Sequence, residues 1–135
     1  MDRLFIDANV LFSAAYRENA GVVRLWSREA VIVLTSAYAL DEARRNLITP
    51  QQANRLEELV QKTQLVSTGT VQPVDRQGIE LPEKDWPIVA GALAGACTHL
   101  ITGDRRHFGP HFGKRLMGLL VVTPATYLAE NRGRS

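Results

Sequence analysis

The sequence has only one cysteine, Cys97, and no long hydrophobic run. A single thiol cannot form an internal disulfide or a cysteine metal cage, which excludes disulfide-stapled folds and zinc sites built from cysteines. No stretch reaches the roughly 18 to 20 apolar residues of a membrane span, and no basic segment followed by an apolar signal run opens the sequence. We therefore expect a cytoplasmic protein that does not contact the membrane.

Motifs of several common enzyme classes are also missing. The sequence contains no G-x-x-x-x-G-K-[ST] phosphate loop and no G-x-S-x-G elbow, which argues against a P-loop nucleotidase and a serine hydrolase. His107 and His111 are four residues apart, but Gly109 and Pro110 would break the helix needed to align them. The sequence therefore indicates no histidine ligand at zinc spacing, and we interpret His99 as a packing residue.

The composition suits one ordinary domain. With 135 residues, of which 45% are hydrophobic, the chain can fill a single core, and we predict one domain over residues 1–135. The net charge of +2 is mildly favourable for a polyanionic partner but does not decide the function. Basic residues also occur in pairs, at Arg44-Arg45, Arg105-Arg106, Lys114-Arg115 and around Arg132 and Arg134.

Short apolar runs rich in β-branched residues alternate with segments of helical period. The predicted strands are Leu4–Ile6, Val31–Leu34, His99–Thr102 and Leu119–Val122, with a weaker candidate at Gln64–Ser67. The predicted helices are Gly21–Ala30, Ser36–Leu47, a helix from Thr49-Pro50 to about Lys62, Trp86–Cys97, and a short helix that begins at Thr123-Pro124. The third begins with a capping box and has proline at its first position. The fourth is rich in Ala and Gly and should lie close to the sheet. Residues 67–84 are predicted to form a long connection. This alternation indicates an α/β fold with a parallel sheet covered by helices.

Four acidic residues fall where the fold can bring them together. Asp7 and Asp104 follow predicted strands, and the edge where parallel strands end is the usual ligand crevice. Glu42 lies in the helix after the second strand, and Asp85 lies at the start of the helix before the fourth. Because both helices begin at that edge, all four carboxylates can converge. Two alternatives stay open: Asp85 as a helix cap, and Asp41 instead of Glu42 on the inward face.

Such a convergence of acids requires a cation. Like charges within about 4 to 6 Å raise each other's pKa, so four ionised carboxylates would not share an empty crevice. A hard divalent cation removes the conflict, and Mg²⁺ or Mn²⁺ prefers oxygen ligands and retains waters for chemistry. The four acids therefore predict a site for Mg²⁺ or Mn²⁺.

Four segments of the chain occur in an order that is typical of one known family. They are F-I-D-A-N-V-L-F-S-A, then S-A-Y-A-L-D-E, then K-D-W-P-I-V-A-G-A-L-A-G-A with L-I-T-G-D-R-R-H-F, and finally V-V-T-P-A-T-Y-L. Together they resemble the PIN-domain ribonucleases, in particular the VapC-like toxin components of type II toxin–antitoxin pairs. The resemblance spans nearly the whole length, and its most specific part is the run from Asp85 to Phe108.

The resemblance implies a Mg²⁺- or Mn²⁺-dependent endoribonuclease that hydrolyses RNA phosphodiester bonds and leaves 5′-phosphate and 3′-hydroxyl ends. The implied catalytic and metal-binding residues are Asp7, Glu42, Asp85 and Asp104. Glu42 is thereby favoured over Asp41. The implied fold is a three-layer α-β-α arrangement around a five-stranded parallel sheet of order 3-2-1-4-5, which places the first and fourth strands side by side.

Other positions of the resemblance suggest supporting roles. Asn9, Ser36 and Thr102 match polar positions that support the acidic cluster, with ordinary turn or capping roles as the alternative. Many relatives have a further Asp shortly after the T-G-D acid, whereas Arg105-Arg106-His107 follows here, so we expect weak occupancy of a second metal. The candidate contacts to RNA phosphates, with a solvated basic loop as the alternative, are Arg105, Arg106, Lys114 and Arg115.

The implied partners are a single-stranded or structured RNA substrate, a cognate antitoxin and a second copy of the chain in a homodimer. Leu11, Phe12 and Trp26 are candidate partner contacts, with core packing as the alternative. The alternative function is a non-catalytic RNA- or protein-binding module on the same fold. An aspartyl-phosphate receiver or phosphatase is disfavoured because no acidic pair surrounds Asp7 and no suitable lysine follows a late strand.

Overall fold

The computed structural model describes residues 1–67 and 69–130, so the basic residues Arg132 and Arg134 lie outside the described part. The strands are β1 (Asp2–Ile6), β2 (Val31–Ser36), β3 (Gln64–Val66), β4 (His99–Ile101), β5 (Arg115–Leu116) and β6 (Leu119–Val122). The α-helices are α1 (Ala8–Tyr16), α2 (Ala37–Asn46), α3 (Pro50–Val60), α4 (Trp86–Ala94) and α5 (Pro124–Glu130). Short 3₁₀ segments occur at Gly21–Ser27, Pro73–Arg76, Glu83–Asp85 and Gly109–His111.

The strands form one mostly parallel sheet with the order β3-β2-β1-β4-β6-β5. Its centre is β1, whose Leu4, Phe5 and Ile6 are fully buried, as a continuous apolar run in a parallel sheet covered on both faces should be. Helix α1 contacts α2 and α3, and α4 contacts β1, β2 and β4. The predicted α/β class is therefore confirmed, and the first and fourth strands are neighbours as expected.

One edge strand of the sheet was not predicted. The fifth predicted strand is β6, which pairs in parallel with β4, while the two-residue β5 adds an antiparallel edge on the other side of β6. Strands β5 and β6 are joined by Met117 and Gly118, both with positive φ, as in a type I′ hairpin turn. Because Met rarely adopts positive φ, the Met-Gly pair gave no hairpin signal in the sequence.

Two predicted helices differ in type or length. The segment predicted as Gly21–Ala30 is a 3₁₀ helix that ends at Ser27, and α4 ends at Ala94 rather than at Cys97. The expected close approach of α4 to the sheet is present at the residue after the helix. A Cβ added to Gly95 would lie 3.0 Å from Val66 Cγ1 and 3.1 Å from Leu34 Cδ2, so a larger residue would displace these side chains.

The register of the sheet determines where the site forms. Ile6 on β1 is paired with Ile101 on β4, so the next residues, Asp7 and Thr102, lie side by side at the strand ends. The backbone N–H of Asp7 donates to the carbonyl of Ile101 over 3.0 Å, which continues the pairing by one residue. None of the helices that the structure describes is long and apolar enough to cross a bilayer.

Candidate metal centre

A cavity of about 400 Å³ opens where the parallel strands end, and all four predicted acids line it. Asp7 follows β1, Glu42 lies on α2, Asp85 precedes α4, and Asp104 follows β4. Four elements that are far apart in sequence thus bring carboxylates to one place. The role of these carboxylates as metal ligands stays a prediction at this point.

Asp7 is the most buried of the four acids, with 5% of its surface exposed. Its Oδ1 accepts the backbone N–H of Ala8 at 2.7 Å, and its Oδ2 accepts the Thr102 hydroxyl at 2.8 Å and the Asn9 amide at 3.1 Å. Burial nevertheless raises the pKa of Asp7 to about 6, because these hydrogen bonds do not outweigh the loss of solvation, and the nearby charges of Asp85 and Glu42 act in the same direction.

Asp85 occupies the position before α4, yet it does not act as a cap. Its side chain makes no capping hydrogen bond to the helix, so the capping alternative is wrong. Burial raises the pKa of Asp85; the charges of His107 and Lys84 oppose this shift, and that of Asp104 adds to it. The side chain, 13% exposed, is therefore held near the cavity without using its oxygens to stabilise the helix start.

The choice between Asp41 and Glu42 is decided by the face of α2 on which each lies. Glu42 is partly buried and lines the cavity. The Asp41 side chain is 65% exposed and lies 3.7 Å from Arg44 on the same helix. Asp41 therefore belongs to the solvated side of α2, where an ion pair of this kind contributes little to stability.

Asp104 and His107 belong to one tight turn after β4. Asp104 Oδ1 accepts the backbone N–H groups of Arg106 and His107, both at 3.0 Å, which leaves Oδ2 free of these bonds. The His107 Nδ1 atom lies 3.1 Å from Asp104 Oδ2 and 2.9 Å from Asp85 Oδ2. The sequence indicated no histidine at zinc spacing on a helix, and it did not indicate that the turn after β4 brings His107 to the acids.

The three predicted supporting residues divide into two kinds. Thr102 and Asn9 bind Asp7 directly, and Asn9 also accepts the backbone N–H of Gly103 at 2.8 Å, which ties α1 to the loop after β4. Ser36 is buried and caps α2 by accepting the backbone N–H of Ala39 at 3.3 Å. Ser36 thus has the capping role that the sequence left open.

The four basic residues predicted to contact RNA are all exposed, and none of them lines the cavity. The basic residue that does line it is Lys84, which precedes Asp85. Sequence reasoning missed Lys84 because it lies in the long connection, where no periodicity indicates which side chains face inward.

Tyr38 is a second missed residue. Its hydroxyl donates to the Lys84 carbonyl over 2.6 Å, which links α2 to the segment that presents Asp85. Loss of solvation, together with a hydrogen bond to Glu42 and the negative charge of that residue, raises the pKa of Tyr38 to about 12. Tyr38 therefore interacts both with Glu42 and with the residue that precedes Asp85. The spacing of Tyr38 and Glu42, one helical turn apart, is the only signal in the sequence that pointed to it.

The donor set of the cavity fits a divalent cation. It offers four carboxylates, and Asp85, Asp104 and His107 each present one ligand atom within 4.8 Å of one another. Asp85 Oδ2 is shielded from solvent and forms no hydrogen bond, a costly state for a carboxylate oxygen that a cation would relieve. The pKa of Asp7 is raised chiefly by burial, and the nearby charges of Asp85 and Glu42 raise it further, so a cation would also favour the ionised form of this carboxylate.

Comparison with known proteins identifies the family to which this fold belongs. The family model of the PIN domain matches residues 3–106. A chain in the crystal structure of VapBC2 from Rickettsia felis, bound to a DNA fragment from their promoter, is similar with a TM-score of 0.61 and 12% sequence identity, and the alignment covers 90% of this chain and 98% of that one. At this identity the likeness shows the fold alone. No curated protein matches the sequence. Because the family model spans more than half of the sequence, the chain belongs to the PIN-domain family.

Proposed function

We propose that this protein is a metal-dependent endoribonuclease whose metal ligands are the four acids of the cavity. The observation that supports this most directly is that Asp7, Glu42, Asp85 and Asp104 line one cavity although they come from separate elements. PIN domains are generally nucleases, so membership of the family supports hydrolysis of a phosphodiester bond. Mg²⁺ and Mn²⁺ are the proposed cofactors because the site is rich in carboxylate oxygens.

The residues around the cavity have separate tasks in this proposal. When bound, the ion would activate a water and stabilise the leaving oxygen of the scissile phosphate. Thr102 and Asn9 orient the Asp7 carboxylate through their hydrogen bonds to its Oδ2. Lys84, at the cavity wall, places a positive charge beside the phosphate. Exposed phosphate contacts further out are proposed for Arg105, Arg106, Lys114 and Arg115.

Neighbouring acids on α2 provide a matched test of the proposal. The Glu42→Gln variant is expected to cleave single-stranded RNA at least roughly tenfold more slowly in the presence of Mn²⁺. Substituting a residue that only hydrogen-bonds a metal ligand commonly lowers activity by that factor, so loss of a ligand should lower it at least as much. The Asp41→Asn variant removes the same charge one residue away, from the solvated face, and is expected to cleave at the wild-type rate. Rates would be measured on a labelled RNA, with and without a chelator.

Contamination by another nuclease is the main artefact in such an assay. If Glu42→Gln and wild-type preparations cleave equally, or if chelation leaves the rate unchanged, the proposed site is wrong. Equal losses in both variants would mean that the charge of α2, rather than a specific ligand, supports cleavage.

Substitution of Tyr38 is expected to have a smaller effect on the site. Removing its hydroxyl in Tyr38→Phe breaks the bond to Lys84, which is worth about 0.5 to 1.5 kcal/mol, so we expect the affinity for Mn²⁺ to fall roughly 2- to 10-fold as Asp85 loses its fixed position. Calorimetric titration would measure the affinity. Tyr16→Phe is the control, because Tyr16 is 51% exposed on α1. An unchanged affinity in Tyr38→Phe would show that the hydroxyl does not position Asp85.

The biological setting is proposed from the structural comparison. The similar structure is a VapBC complex, which supports an antitoxin as a partner and a role as a toxin. An RNA substrate, a homodimer and a cytoplasmic location, all expected from the sequence, remain predictions. The alternative of a non-catalytic binding module is disfavoured because a pure binder would not need four carboxylates on one cavity.

A further inference from the structure

His107 occupies an unusual place between two of the acids. Its Nδ1 lies within 3.1 Å of one carboxylate oxygen from each of Asp85 and Asp104. Both Nδ1 and Asp85 Oδ2 are shielded from solvent, and neither has a hydrogen-bond partner among the described residues. The nitrogen therefore lies close to both carboxylate oxygens in a part of the site that is shielded from solvent.

These separations fit atoms that share one metal ion, and they equally fit an ion pair between an imidazole and a carboxylate. Ligand atoms at about 2.1 Å from an octahedral ion lie about 3 Å from their neighbours. The observed 2.9 Å and 3.1 Å match that spacing. The turn also keeps the atoms available, because Asp104 uses Oδ1 for the backbone of residues 106 and 107 and leaves Oδ2 toward His107.

We propose that His107 Nδ1 is a direct ligand of an ion shared with Asp85 and Asp104, and that this nitrogen makes the site prefer Mn²⁺ to Mg²⁺. Both ions favour oxygen ligands, but Mn²⁺, a first-row transition metal, accepts an imidazole nitrogen more readily than Mg²⁺ does. In this proposal His107 takes the place of the further Asp that many relatives have after the T-G-D acid. The inference rests on the proposed function, because it concerns the same site.

Electron spin echo envelope modulation of bound Mn²⁺ tests the nitrogen ligand directly. The full-length protein loaded with Mn²⁺ is expected to show the ¹⁴N modulation of a bound imidazole. The modulation is expected to vanish in His107→Gln and to remain in His111→Gln, whose Nε2 lies 3.3 Å from the Glu80 carbonyl. In calorimetric titrations, His107→Gln is expected to lower the Mn²⁺ affinity roughly tenfold or more and the Mg²⁺ affinity less.

The outcomes separate this inference from the proposed function. If wild-type protein binds Mn²⁺ and cleaves RNA but shows no imidazole modulation, His107 only bridges the two acids and the inference is wrong, while the proposed function stands. Modulation that persists in His107→Gln also overturns it. If wild-type protein binds neither ion, the proposed function itself fails. The wild-type spectrum is informative even if the variant does not fold.

Discussion

When no metal is added, the Asp7→Asn variant is expected to gain stability relative to the wild-type protein as the pH rises from about 4 to 7.5, although it should lose cleavage. The reason is the cost of burying this charge. The folded protein holds the pKa of Asp7 at about 6, above the value of 3.8 for an exposed aspartate, chiefly because the carboxyl is buried. An asparagine of similar shape removes this charge. Its NH₂ group also faces one of the donors that the carboxylate accepts, and this cost does not change with pH over the same range.

The sign of the pH dependence follows from this shift. Because the folded state binds the Asp7 proton more tightly than the unfolded chain does, this group destabilises the fold progressively as the pH rises from 3.8 to about 6. Each pKa unit corresponds to about 1.4 kcal/mol, so the stability advantage of Asp7→Asn should grow by about 2 to 3 kcal/mol between about pH 4 and pH 7.5. Urea unfolding of both proteins in chelator would measure it.

Adding Mn²⁺ supplies the control for the same pair of proteins. The ion should stabilise the wild-type protein at neutral pH, since it binds the folded state, and should stabilise Asp7→Asn much less. A stability difference between the two proteins that stays constant with pH would contradict a raised pKa at Asp7. Equal stabilisation of both by Mn²⁺ would contradict its role as a ligand.

The Phe108→Ala variant is expected to lose about 3 to 5 kcal/mol of unfolding free energy, the usual cost of truncating a buried Phe. Phe108 is fully buried, and its backbone N–H donates to the Asp104 carbonyl at 3.1 Å, so it anchors the turn that presents Asp104 and His107. We therefore expect the Mn²⁺ affinity of the protein that remains folded to fall as well. Chemical denaturation and calorimetric titration at low temperature would give both values.

Leu25 provides a control that distinguishes a general loss of stability from a loss of the geometry of the turn. Leu25 is also fully buried, but it lies in the 3₁₀ segment Gly21–Ser27 and does not line the cavity. Leu25→Ala should cost about 2 to 5 kcal/mol and leave the metal affinity of the folded protein unchanged. If both variants lose metal affinity to the same extent, loss of affinity reflects general destabilisation and not the turn at Phe108.

Elements with a strong local signal were predicted well. The helix opening at Thr49 and Pro50 has both hydrogen bonds of a capping box, with Thr49 and Gln52 as its reciprocal partners. The central strands were evident as continuous apolar runs. The 3₁₀ segment Gly21–Ser27 was mistaken for an α-helix because apolar spacing alone does not separate the two over so few residues.

The candidate site was predicted in part. Asp7 and Asp104 could be placed because Asp7 directly follows β1 and Asp104 lies just beyond the end of β4, and the strand order implied by the resemblance made the two strands neighbours. His107 could not be placed, since only the turn fixed by Asp104 and Phe108 directs its ring toward Asp85. Tyr38 and Lys84 were missed for a similar reason: their link joins α2 to an irregular connection.

By itself, the sequence determined the alternation of strands and helices and the positions of the acids along it, because apolar periodicity, caps and strand ends are local properties of a chain. Only the tertiary structure decided which atoms meet. Sheet register places Thr102 on Asp7, and one tight turn places His107 between two carboxylates. Both depend on burial and on hydrogen bonds between distant segments, which no local pattern specifies.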